Sequence, residues 1–204
     1  NNAITFNQNH VNAYLCIGNA SYQIQDFYKA IIYYTKALEI DPDNTYAYVN
    51  RGMSKDGLKN YMGANQDYNK AIEINPDDSI AYIHLANSKY QMGEINSAID
   101  LLEKALSKIN DVEQRSTVYT NIGLLKTKTN DHVKAIESFN SAININPSSY
   151  ANYQYRCNSY NKISEFRSAI NDCTKAIIIN PLSATSYIYR GNAKYAIGER
   201  DNAC

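Results

Sequence analysis

Apolar residues recur along this chain at helical spacing, and the helical stretches come in pairs. Tyr14, Ile17, Gly18 and Tyr22 mark one stretch, and Ala30, Ile31, Tyr34, Ala37 and Leu38 mark the next. Spacing of this kind puts apolar side chains on one face of a helix and polar ones on the other. Short polar segments punctuate the pairs. Asp41-Pro42-Asp43-Asn44 and Asn75-Pro76-Asp77-Asp78 stop one helix and offer side-chain caps to the next. Proline cannot extend a helix, and Asp or Asn can accept from the first free backbone N–H groups.

The pairs themselves repeat. The prolines are Pro42, Pro76, Pro147 and Pro181, with two gaps of 34 residues and a middle gap of 71 that holds one unit of 34 and one of 37. This period divides the chain into units 11–44, 45–78, 79–115, 116–149, 150–183 and a truncated 184–204, after a leading segment 1–10. The fourth place of each unit is Tyr (14, 48, 82, 119, 153, 187) and the twentieth is Ala (30, 64, 98, 135, 169, 203). The twenty-seventh place of the five complete units is also Ala. The eighth place is small: Gly18, Gly52, Ala86, Gly123, Cys157 and Gly191. The twenty-fourth is bulky as Tyr34, Tyr68, Leu102 and Phe139, with Cys173 the exception. Small residues at the eighth and twentieth places let two helices of a hairpin approach, and the bulky places fill the space around them.

A 34-residue unit with an aromatic, small apolar places, Ala, an aromatic, Ala and then Pro resembles the tetratricopeptide repeat family over residues 11–204. The resemblance implies an all-α fold of helix-turn-helix repeats stacked as a right-handed superhelical solenoid. It implies first helices on a concave side and second helices on a convex side. One hairpin cannot bury its own apolar face, so stacking neighbours makes the core. The third unit lacks the proline and carries a longer turn around 109–113.

The seventh and twenty-third places vary together. Arg51 occurs with Asp67 and Arg156 with Asp172, while the other complete units have neither residue at these places. The two places face each other across a hairpin, so the pattern predicts the salt bridges Arg51–Asp67 and Arg156–Asp172, since guanidinium and carboxylate pair bidentately. Recognition of an acidic ligand by these arginines is the competing reading. Arg190 has no counterpart, because the chain stops before its twenty-third place.

The resemblance also points to a ligand face, at the second, fifth, sixth, ninth, twelfth and thirteenth places. The ninth gives Asn19, Met53, Asn87, Leu124, Asn158 and Asn192, and the sixth gives Cys16, Asn50, His84, Asn121, Tyr155 and Tyr189. The twelfth gives Tyr22, Asp56, Tyr90, Thr127, Asn161 and Tyr195. Asn offers a donor and an acceptor to a peptide main chain of any sequence, and Tyr offers apolar area with a polar tip. The expected peptide-binding residues are therefore Asn19, Tyr22, Asn50, Met53, His84, Asn87, Tyr90, Asn121, Tyr155, Asn158, Tyr189 and Asn192. The carboxylate clamp that some family members use on acidic chaperone tails is not matched. Asn19 and Asn50 fit its asparagines, but Leu15, Ile80 and His84 stand where it needs cations.

Composition narrows the function further. Lys plus Arg equals Asp plus Glu at 20 each, for a formal net charge of zero, which argues against a nucleic-acid partner. Apolar runs are too short for membrane insertion. His10, His84 and His132 show no ligand spacing, and neither a Cys-x-x-Cys motif nor a phosphate-cradling loop occurs. The sequence therefore predicts no enzyme, no metal and no cofactor. Cys157 and Cys173 fall close together, and two buried free thiols are the favoured reading over a disulfide. This cysteine usage gives a cytoplasmic location as the default.

The expected function is a scaffold holding a protein or peptide in an Asn/Tyr-rich concave groove. The alternatives are a self-assembly module or a regulatory domain of a larger enzyme. Residues 1–10 read as the tail of an upstream helix, and the sixth unit stops at Ala203-Cys204. Both ends suggest a fragment of a longer array with end-to-end self-association, Ile188 and Tyr195 lacking cover.

Overall fold

The computed structural model describes the backbone of residues 2–199 and the side chains of residues 10–199. Ala203 and Cys204, and the side chains of Ile4 and Phe6, lie outside the described residues. The described residues form α-helices joined by short turns: α1 (Asn2–Gln23), α2 (Phe27–Ile40), α3 (Thr45–Gly57), α4 (Tyr61–Ile74), α5 (Ser79–Gln91), α6 (Ile95–Leu106), α7 (Val112–Lys128), α8 (His132–Ile145), α9 (Tyr150–Lys162), α10 (Phe166–Ile179) and α11 (Ala184–Ala196).

The chain divides into two compact units, up to Lys108 and from Ile109. In the first, α1/α2, α3/α4 and α5/α6 pack as hairpins, and α2 and α4 also pack on the first helix of the next hairpin, α3 and α5. First helices touch one another, α1 with α3 and α3 with α5. The second unit repeats this plan with hairpins α7/α8 and α9/α10 and the lone first helix α11. Among the described residues of each unit, no second helix meets another second helix. Each unit is thus a short helical solenoid with a layer of first helices and a layer of second helices.

The eighth and twenty-fourth places set how closely each hairpin closes. A Cβ on Gly18 would lie 2.7 Å from the Tyr34 ring, one on Gly52 2.6 Å from Tyr68, and one on Gly123 2.5 Å from Phe139. In these repeats, the missing side chain makes room for a ring that is itself fully buried. Unit 79–115 uses Ala86 with Leu102, a larger small residue and a smaller large one, both buried. In unit 150–183 both places are Cys, and Cys157 is bonded to Cys173 with a Cα–Cα distance of 5.5 Å. This overturns the expectation of two free thiols. No ring separates these positions, and the backbone spacing lies within the usual range for a disulfide. The alanines of the twentieth and twenty-seventh places from Ala30 to Ala176 are fully buried at the helix crossings.

The turns inside the hairpins share a backbone feature. The fifteenth residue of every unit has positive φ: Gln25 at 61°, Lys59 at 60°, Gly93 at 83°, Asn130 at 59°, Ser164 at 64° and Gly198 at 87°. This left-handed residue reverses the chain at the end of a helix, a position that favours Gly. Asp26, Asn60 and Asp131 follow it and cap the second helices by accepting from the backbone N–H three residues on. Asn44 and Asp78, from the proline turns, cap α3 and α5 in the same way. The three-residue insertion does not remain a loop. Val112–Arg115 form an added first turn of α7, capped by Asp111, which accepts from the Gln114 N–H at 2.6 Å. At the other end, α1 reaches back to Asn2, so the leading segment is continuous with the first helix.

Candidate functional site

The arginines of the seventh place are built into the fold. Arg51 donates from Nε to Asp67 Oδ2 at 2.9 Å and from Nη2 to Oδ1 at 2.7 Å, and its Nη1 reaches Thr35 Oγ1 of the preceding hairpin at 3.2 Å. Arg156 does the same with both Asp172 oxygens at 2.6 Å and with Asn140 Oδ1 of the preceding hairpin at 2.6 Å. Each guanidinium therefore ties its own first helix to its own second helix and to the second helix before. Tyrosine rings flank the cations: Tyr48 lies 5.4 Å from Arg51, Tyr153 5.6 Å and Tyr160 5.9 Å from Arg156. The Asp side chains are 5% exposed in both pairs. Three of the five N–H donors of each guanidinium are thus taken up inside the fold. Asp67 has a second cation, Lys55, at 2.7 Å. Asp172 has Arg156 alone among the described residues. Arg190 stacks over Tyr187 at 5.3 Å.

The expected peptide-binding residues separate into two groups. Several are engaged internally. Asn19 Oδ1 accepts from the Tyr34 hydroxyl at 2.8 Å and its Nδ2 donates to the Tyr46 hydroxyl at 3.0 Å. Asn50 donates to the Tyr46 carbonyl of its own helix at 2.7 Å. Met53 packs against the core of the first unit, and Tyr189 against that of the second. Tyr22 meets Phe27 edge-on at 5.6 Å, and Tyr155 lies 5.8 Å from Phe139. His84 stacks on the Tyr68 ring at 5.8 Å, and burial holds its imidazole below the ordinary value. Tyr90 is half-buried on α5. The other group is open. Asn87 and Asn192 are exposed, and Asn121 and Asn158 are half-buried. Their side chains hydrogen-bond to nothing among the described residues. All four lie on first helices, Asn87 in the first unit and the others in the second.

One recess in the first unit escaped the sequence reading. A groove of about 410 Å³ lies at the ends of α3 and α5, lined by Asp56, Gly57, Lys59, Tyr61, Asn87 and Ser88, with Gln91 at its edge. Asp56 accepts from the buried Tyr68 hydroxyl at 2.8 Å and from Ser88 Oγ at 3.0 Å. Burial pushes its carboxyl above the usual range, against the pull of these two hydroxyls. The available signal was its place: Asp56 is the sole acidic residue among the twelfth places.

Tetratricopeptide repeat models match residues 11–44, 45–78 and 77–148. The chain belongs to the tetratricopeptide repeat family. No curated protein matches it. Solved structures with the same arrangement include MamA, at 26% identity and a TM-score of 0.75 over 86% of this chain and 94% of that one. The Pseudomonas aeruginosa protein PilF aligns at 20% identity and a TM-score of 0.77 over 97% of this chain and 88% of its own. YrrB, described as a repeat protein with an unusual peptide-binding site, aligns at 19% identity and 0.71 over 83% and 86%. At those identities, the last two establish the fold alone. Among the described residues, no group of three His, Cys, Asp or Glu side chains is placed to hold a metal ion, and no helix is long and apolar enough to cross a membrane.

Proposed function

We propose that the tetratricopeptide repeats form a protein-interaction scaffold that takes an extended peptide against the first helices within a unit. The observation that carries this reading is the set of open amides on those helices. Asn87 in the first unit, and Asn121, Asn158 and Asn192 in the second, make no side-chain hydrogen bond among the described residues, while Asn19 and Asn50 are engaged inside the fold. An unpaired amide can donate to and accept from a peptide main chain, so it holds a backbone without selecting its sequence.

The test is selection from a displayed library of extended peptides, followed by calorimetry on the binders. Replacing Asn121, Asn158 and Asn192 of the second unit by Ala should weaken binding by about tenfold or more, since each amide hydrogen bond contributes ~1 kcal/mol. Affinity unchanged in the triple variant overturns the reading. A second reading, self-association, draws on the apolar side chains exposed at the last helices, Leu182 at 91% and Ile188 at 60%. Light scattering across a concentration series tests it, and a strict monomer at high concentration sinks it.

A further inference from the structure

The groove at the ends of α3 and α5 carries a carboxylate that no cation among the described residues pairs with. Both hydroxyls bonded to Asp56, from Tyr68 and Ser88, are neutral. The cations nearby are engaged elsewhere, Lys55 with Asp67 at 2.7 Å and Lys89 with Glu94 at 2.8 Å. Lys59 is exposed on the rim and forms no ion pair with Asp56 among the described residues. Partial burial without a counter-charge leaves this carboxylate poorly solvated, and burial raises its proton affinity. Gly57 and Gln91, the last residues of α3 and α5, bring two carbonyl-rich, partly negative ends to the groove, against one N-terminal end at Tyr61, the first residue of α4. The Asn87 amide, on the same wall, is open.

We infer that this groove is a cation subsite that receives the side chain of a lysine or arginine from the bound segment. The ammonium or guanidinium lies against the Asp56 carboxylate, and the side-chain oxygens of Asn87 and Gln91 accept its remaining N–H groups. The Tyr61 ring flanks the aliphatic stem. The volume of about 410 Å³ is ample for one such side chain. The inference rests on the peptide-binding reading for the origin of the cation. It adds a preference that a neutral Asn/Tyr face lacks, because an amide holds any main chain whereas a half-buried carboxylate discriminates by charge. The other twelfth places hold Tyr, Thr or Asn, so the preference belongs to one position of the bound segment.

The experiment is a titration of the full chain, labelled for backbone NMR, with N-acetyl-lysine N-methylamide, its arginine counterpart and the neutral isostere N-acetyl-norleucine N-methylamide. The cationic amides should shift Gly57, Asn87, Ser88 and Gln91 at millimolar concentration, with the norleucine amide at least about tenfold weaker. Asp56→Asn, which keeps one acceptor oxygen for the two hydroxyls and removes the charge, should remove that difference. Equal shifts from the neutral amide, or cationic shifts that map elsewhere, overturn the subsite even if Asp56→Asn fails to fold, because they are read on the unaltered protein. The displayed library separates the two levels. Binders that lack a fixed basic position, together with a flat titration, overturn the subsite and leave the scaffold reading standing. A positive titration with no peptide captured overturns the scaffold reading and leaves the subsite.

Discussion

Reducing the Cys157–Cys173 bond should destabilise the second unit by about 3 kcal/mol. The bonded residues are 16 apart in sequence. For a loop of that length, the chain-entropy relation gives about 10 cal/mol/K lost from the unfolded ensemble, or ~3 kcal/mol at 25 °C. The bond stands where other repeats seat a ring over a glycine, so its loss also leaves the α9/α10 crossing with two small side chains and no ring. Both cysteines are fully buried, so a reductant gains access only as the hairpin opens. The comparison is therefore made on protein unfolded in urea with or without a phosphine reductant, then refolded and melted by urea under circular dichroism. Hydrogen exchange read by mass spectrometry locates the loss. Faster exchange should concentrate in α9, α10 and α11, since a repeat array transmits stability mainly to nearest neighbours. An unchanged urea midpoint refutes the entropic argument. A loss spread equally into α3 and α4 refutes the local one.

Arg156→Met should cost more than Arg51→Met, about 3–5 kcal/mol against roughly 1–2, because it strands a buried Asp172 whereas Lys55 still neutralises Asp67; paired denaturation curves decide it, and equal losses contradict it. Gly52→Ala should destabilise by about 1–3 kcal/mol by driving a Cβ into the Tyr68 ring, and adding Tyr68→Leu should recover part of that, since the pair then copies Ala86 and Leu102; a double-mutant cycle with no coupling counts against the packing rule. His84 should titrate by NMR below the ordinary imidazole value of about 6.5, because burial disfavours its charge. Its folded-state value is depressed, so stability is constant above ~6.5 and falls as pH drops from there through the folded value; His84→Gln should flatten that part of the profile, and an unchanged slope removes His84 as its cause.

The repeat was legible because it depends on spacing. Prolines at a fixed period, with tyrosine and alanine in fixed places, state both the hairpin and its stacking. The Arg–Asp pairs were legible for a related reason, since two places changed together between repeats. The sequence pattern did not reveal how the eighth and twenty-fourth places compensate in volume. Cys173 read as an exception to a bulky position, whereas the structure shows a bond doing what a ring does elsewhere. The left-handed residue at the fifteenth place was also invisible. Gln25, Lys59 and Ser164 are not residues that announce positive φ, and the flanking helices impose it. The insertion before α7 read as a loop, yet Asp111 supplies a cap, and a capped segment extends the helix.

The ligand face was only half legible, because a residue type does not reveal whether its hydrogen bonds are already taken. Asn19 and Asn87 share the ninth place and would be interchangeable in a repeat alignment. Where the twenty-fourth place is Tyr34, its buried hydroxyl needs an acceptor, and Asn19 is within reach at 2.8 Å. Where it is Leu102, there is no hydroxyl to satisfy, and Asn87 stays open. The same holds in the second unit: the Cys157–Cys173 disulfide makes no demand on Asn158, the ninth place of its own repeat. Tyr68 carries a hydroxyl too, but its repeat has Met53 at the ninth place, and the bond goes to Asp56 instead. The choice between phenol and apolar side chain inside a hairpin thus decides whether a ninth-place amide stays open. It accounts for the open amides of Asn87 and Asn158, and it ties the buried Tyr68 to Asp56 in the groove.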